Sequence, residues 1–344
     1  MPNTASRPHP PDLAVSRLAT CTQLDAQHAR LRARGVHATA EGWVVARPDD
    51  LAQAGGLQEL SVAPTQARIG AAAARRLQRQ MARFSDGPEH EHRRRLAKQL
   101  LPPAAGLQDA AAQLTTTLLR TATGSFDVMP TARTVPVIVL ADVLGVPADD
   151  LPAVAEATGQ LCDALAPALA PPLGTGEADA AATRLSGLLA PAGPWPDPEH
   201  EAAAAGLLFQ ARDATAALIG AALLAASPDV EPSTRVELAL RRDAPVQCTR
   251  RTATDNVPLG GATIPRGALV WLVLAAGEQG APGPPATFGT GLHACPGAAQ
   301  ARALAGGVLD GLAASGWQVL PGQHVQHEPR PNLRVPATLL VKRA

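Results

Sequence analysis

Residues 288–297 read FGTGLHACPG: one cysteine, one histidine and three glycines, with an alanine-rich run behind them. A cysteine at a helix start meets free backbone N–H groups and the positive end of the helix dipole, and both favour thiolate over thiol. Thiolate is the form that ligates metal. Gly289, Gly291 and Gly297 remove side chains where backbone must come close to a flat, bulky ligand. Pro296 suits the first helical position, where its missing N–H costs nothing. Ala301, Leu304, Ala305, Val308 and Leu312 then recur at helical spacing. These residues lead us to expect a helix that begins at Cys295 and a cysteine that serves as a ligand.

A second cluster interrupts the longest uninterrupted helical stretch, 201–227, where Gln210, Arg212 and Asp213 stand between GLLF and ATAALIG. Charge buried in an apolar helix is costly unless it is paired or faces a cavity. Two readings stay open: an Arg–Asp pair on a partly exposed face, or a polar break that lines a pocket.

The elements that must carry these residues are mostly helical, with a small β portion. Helices are expected over 26–35, 67–84, 90–101, 104–122, 132–144 and 149–165, with breaker-rich loops at 170–179 and 191–200. A short strand is expected at 42–46, and a hairpin turned at Gly260–Gly261 precedes a strand at 268–274. The first 20 residues read as a proline-rich disordered lead-in, and 21–344 as one domain. The 344 residues can bury a substantial core, and 30 basic against 30 acidic residues give no pull towards nucleic acid or an anionic membrane. The longest apolar run, 214–226, is too short to span a bilayer. The four cysteines, at 21, 162, 248 and 295, form no paired spacing, which speaks against zinc and a disulfide scaffold and for a reducing cytoplasm.

FGTGLHACPG resembles the haem-binding loop of the cytochrome P450 superfamily, Phe-Gly-x-Gly-x-His-x-Cys-x-Gly. Phe288, Gly289, Gly291, His293, Cys295 and Gly297 match it. The resemblance runs in order over most of the chain and is nearest to soluble bacterial members, of which this is a shortened and divergent one. It implies haem b between the long central helix and the helix after Cys295, with the Cys295 thiolate as axial metal ligand. By the same resemblance His90 and Arg94, four apart on one helical face, meet one propionate, and Arg251 meets the other. Asp213, Thr215 and Arg212 become candidates at the reacting centre.

Three departures stand beside the matches. Where the family has Ala-Gly-x-Asp/Glu-Thr, this chain has QARDA, so the acid is Asp213 and the threonine position is Ala214. Thr215 follows, turned about 100° around the helix. In the family's Glu-x-x-Arg pair the arginine maps to Arg241 but the glutamate position holds Leu238, and Glu237–Arg241 has i,i+4 spacing for a substitute pair. The stretch 267–288 is shorter than in most relatives.

The resemblance implies an oxidoreductase, a P450-type monooxygenase oxidising a small metabolite in natural-product biosynthesis. It would be a cytoplasmic monomer, fed by a ferredoxin and ferredoxin reductase, with no nucleic-acid or membrane partner. The alternatives are a haem-thiolate catalyst of coupling, cyclisation, dehydration or peroxide-driven oxidation, and a non-catalytic P450-like partner protein.

Overall fold

The computed structural model describes residues 14–62, 72–165, 175–193, 195–277 and 285–343. In its first half α1 (Leu24–Arg34) leads into β1 (His37–Thr39) and β2 (Gly42–Val45), followed by α2 (Pro48–Gly56), β3 (Leu60–Ser61), α3 (Ala72–Gln80) and α4 (Gly87–Leu100). After α5 (Leu107–Leu119), β4 (Ser125–Asp127) precedes α6 (Met129–Val143), α7 (Leu151–Leu165), α8 (Thr175–Leu189) and α9 (Pro198–Ala225). The second half holds α10 (Pro232–Arg242), β5 (Thr249–Ala253), β6 (Val257–Leu259), β7 (Ala262–Ile264), β8 (Leu269–Leu272), α11 (Ala298–Ala314), β9 (Trp317–Val319) and β10 (Leu340–Arg343). The fold is mostly α with small sheets, as expected.

Several boundaries differ from the expectations for physical reasons. Val15–Thr20 is a 3-10 helix whose Leu18 is fully buried, so the ordered domain begins before residue 21; residues 1–13 lie outside the described residues. The helix expected over 67–84 is described as α3 from Ala72 to Gln80 and a separate 3-10 turn, Ala82–Phe84. Part of the loop expected at 170–179 is the start of α8, packed through buried Ala178, Ala181, Ala182 and Leu185. There tertiary burial outweighs the local breaker signal of TGE. The helix after the cysteine starts at Ala298, capped by Gly297, which leaves Pro296 in the preceding turn.

α9 runs through the centre. Asp197 caps it, its carboxylate accepting from the N–H groups of Glu199 (2.9 Å) and His200 (3.0 Å). It packs against α3, α4, α6, α7, α8, α10 and α11. The helix is long and apolar enough to cross a membrane, yet 67% of its most apolar window is buried inside the protein. Its sides are buried from Ala202 to Leu208 and from Thr215 to Leu223, and half-buried at Phe209–Arg212 and Ala214.

α11 lies unusually close to α5. A Cβ on Gly307 would come within 2.1 Å of the Gln108 carbonyl oxygen, and one on Gly311 within 2.6 Å of Thr115 Cβ. Small residues at these two positions let the backbones nearly touch, which fixes the height of α11 and of the loop feeding it. The five-stranded sheet, in the order β1-β2-β8-β5-β3, stands beside the helices and carries Arg251 opposite Val270.

Candidate functional site

Cys295 sits on the turn between a 3-10 segment, Gly291–His293, and α11. Its N–H donates to the Phe288 carbonyl (2.7 Å), closing the loop on itself. The thiol is open to solvent, with protein packed closely around it. Burial pushes it above the usual thiol value, while the Gly297 N–H and the guanidiniums of Arg94, Arg83 and Arg302 pull the other way. The cysteine precedes the helix start by three residues, so one turn N–H and nearby arginines replace the expected direct seat at the helix end.

The glycines do other work than the sequence suggests. Gly291 has φ +63°, and a Cβ there would lie 2.0 Å from the Gly55 carbonyl oxygen, so it lets the loop pack on the end of α2. Gly55 reciprocates: its own Cβ would fall 2.2 Å from Thr290 Oγ1, which donates to the Leu51 carbonyl (3.0 Å). Gly289, at φ +74°, faces the loop's own backbone, and Gly297 is the helix cap.

His90 on α4 and His293 on the cysteine loop stack with ring centroids 4.1 Å apart. His293 Nε2 lies 3.3 Å from Asp86, whose carboxylate also accepts from Ser61 Oγ (2.6 Å) and the Val62 N–H (3.2 Å). Burial, with help from Arg251 and His90, holds His293 down to about 4; burial and Arg94 lower His90. Both rings are therefore neutral at pH 7. Around them lie Arg83, Arg94 and Arg251, none in an ion pair with a described carboxylate. Arg251 donates to Thr249 Oγ1 (2.9 Å) and the Arg250 carbonyl (2.7 Å). Burial lowers all three guanidiniums, Arg251 to about 10 with Arg83 adding to the effect. Arg83 is solvent-accessible and lies within electrostatic reach of Cys295. Three crowded cations without anions are costly as they stand. They suit a ligand that brings carboxylates into the space beside Cys295.

The break in α9 meets the segment that carries Arg83 through Phe84. Gln210 and Ala214, one turn apart, are half-buried, and the Phe209 ring meets Phe84 (centroids 6.2 Å). Asp213 does not join them. Its carboxylate is 6% exposed and held by Arg212 (2.8 Å), Arg330 (2.7 Å) and Arg133 (3.3 Å). Glu328 bonds both Arg133 and Arg330, and Asp163 approaches Arg212 (3.6 Å). Thr215 is buried at 4% on another side of the helix. The mid-helix charge is thus a paired cluster with arms from α6 and the C-terminal segment.

No protein-family model and no curated protein matches the sequence, but solved structures match the fold along nearly its whole length. CalO2 superposes with a TM-score of 0.79 at 22% identity, covering 94% of this chain and 98% of its own. P450BioI, in complex with an acyl carrier protein ligated to hexadec-9Z-enoic acid, gives 0.78 at 20% identity over 94% and 99%. Ligand-free CYP164A2 from Mycobacterium smegmatis gives 0.73 at 26% identity over 95% and 98%. The chain has the cytochrome P450 fold.

Within this P450 fold the structure gathers His90, Arg94, Arg251, His293 and Cys295 around one space and leaves Asp213, Arg212 and Thr215 engaged elsewhere. The pair expected between Glu237 and Arg241 is not what Glu237 makes: its carboxylate binds Arg302 on α11 at 2.5 Å. Arg302, Arg133 and Arg330 were invisible to spacing arguments because they reach Glu237, Asp213 and Glu328, and Asp213 across long sequence separations. Cys162 donates to the Phe209 carbonyl (3.5 Å) and Cys248 to the Pro331 carbonyl (3.2 Å), both buried.

Proposed function

We propose that this protein is a haem-thiolate oxidoreductase of P450 type acting on a small metabolite. The observation that carries the reading is a solvent-reached cysteine beside three arginines, Arg83, Arg94 and Arg251, that form no ion pair with a carboxylate among the described residues. Haem b fits that donor set: one thiolate for iron, and cations for two propionates. Cys295 would be the axial ligand, with Arg94, Arg251 and Arg83 compensating the propionates and neutral His90 and His293 donating hydrogen bonds to them. When bound, haem supplies one- and two-electron oxidation chemistry that amino-acid side chains lack, and thiolate ligation biases it towards O–O cleavage. The protein's own part would be to hold the group and, through the paired rings of Phe84 and Phe209, to keep water from it. A ferredoxin-type donor, a monomeric state and a cytoplasmic home belong to the same reading. The carrier-protein complex of P450BioI makes a carrier-tethered acyl substrate one form the metabolite could take.

The decisive test is spectroscopic. Purified protein, reduced under carbon monoxide, is expected to show the red-shifted band of thiolate-ligated haem, and Cys295→Ser to lose it together with turnover. An unchanged spectrum and activity in Cys295→Ser would end this reading, and colourless protein after haem supplementation would favour a non-catalytic partner.

A second reading, peroxide-driven or non-oxygen-inserting chemistry, is favoured by the central helix: the position that aligns with the family's threonine is Ala214, and Asp213 is bound by three arginines. Thr215, the next residue, is buried in the core at 4% exposure. Ala214→Thr is expected to raise oxygen insertion with a reductase system at least several-fold, while leaving peroxide-supported turnover unchanged. No gain would place proton delivery on another group.

A further inference from the structure

The geometry points to Glu237, Arg302 and Phe288 as a relay that positions Cys295. Glu237 on α10 binds Arg302 Nε at 2.5 Å. Arg302, one turn into α11, places its guanidinium carbon 4.6 Å from the centroid of the Phe288 ring and also donates to the Ala298 carbonyl (3.3 Å). Phe288 in turn accepts the Cys295 N–H on its carbonyl oxygen at 2.7 Å. One planar group thus ties a neighbouring helix, the first turn of α11 and the first residue of the loop to the cysteine's own amide. The three tasks need arginine: a lysine ammonium can pair with Glu237 but has no flat face to lay over the ring. The carboxylate fixes the rotamer, the stack fixes Phe288, and the loop closes on Phe288. The residues are positioning residues for the proposed thiolate, so this inference rests on the haem-thiolate reading.

Two readouts separate the two ideas. Hydrogen exchange at the Cys295 amide reports the loop in loaded and haem-depleted protein alike, and the carbon monoxide band of the loaded protein reports the thiolate. Glu237→Gln, Arg302→Gln and Phe288→Leu are each expected to speed exchange at Cys295, and loss of the thiolate-type band, on the order of fivefold to tenfold, as suits a half-exposed ion pair joined to a cation–π contact. Arg302→Lys should fall between native and Arg302→Gln. The Glu237→Gln/Arg302→Gln double variant should lose no more than the worse single one, because the two residues act in series. Glu237→Gln is the mildest change and keeps the test open if the others fold poorly. Unchanged exchange at Cys295 in Glu237→Gln and Arg302→Gln, or effects that simply add, would overturn the relay. A native protein without the thiolate band would overturn the haem reading, and the exchange measurement would still decide the relay.

Discussion

Asp213 looks from its neighbours in sequence like a free acid in the middle of an apolar helix, and both of its oxygens are taken by arginines from three elements. Such a group acts first on stability. Asp213→Asn leaves Arg133, Arg212 and Arg330 facing one another with only Glu328 and Asp163 to offset them. Removing one partner from a buried charge cluster costs about 3 kcal/mol or more. Urea unfolding of Asp213→Asn should show that loss in the midpoint at unchanged slope. A loss under about 0.5 kcal/mol, the range of ordinary surface substitutions, would show that the cluster is not a structural tie. Thr215 belongs to the same lesson: one residue along a helix is a different face, and this face is core.

The helices set distances that no single side chain can. α2 holds the cysteine loop by the close approach of Gly55 to Thr290, and α5 holds α11 through Gly307 and Gly311. Gly55→Ala forces a methyl to within 2.2 Å of Thr290 Oγ1 and 2.7 Å of the Thr290 carbonyl oxygen. The loop must move, and haem retention after gel filtration is expected to fall while far-UV circular dichroism stays native. Gly307→Ala meets the Gln108 carbonyl at 2.1 Å, a backbone atom with no room to yield. Its expected cost is about 1–3 kcal/mol, as for overpacking of a well-filled core. Equal stability in both variants would mean that the helices part without penalty.

Acid stability belongs to the whole molecule, because its groups sit in separate places. His28, bonded through Nε2 to Gln247, is held to about 4, as are His293 and His327, with burial the leading cause for each. The unfolded chain binds these protons near 6.5 and the folded one only near 4. Between those values the unfolded state carries more protons, so stability is present above pH 6.5 and drains as pH falls towards 4. The slope approaches about 1.4 kcal/mol per pH unit for each histidine. Melting temperature should be flat from pH 8 to 7 and fall steadily below 6.5, and His28→Gln should remove one share of that slope. A melting temperature that rises on acidification would contradict the assignment.

What the sequence by itself determined is local chemistry and local shape. The cysteine loop, the His90–Arg94 spacing, the long central helix and the Gly260–Gly261 hairpin were legible because each signal lies within a few residues along the chain. Only the tertiary structure decided which charges are spent on one another. Arg302 reaches Glu237 across 65 residues and Arg330 reaches Asp213 across 117. Arg83 reads like dozens of other charges until folding sets it beside Arg251 and Cys295, with no ion pair to a carboxylate among the described residues. α8 escaped notice for a related reason, since its helix is stabilised by what it packs against. Desolvation and pairing depend on neighbours in space, and a one-dimensional pattern carries no record of them.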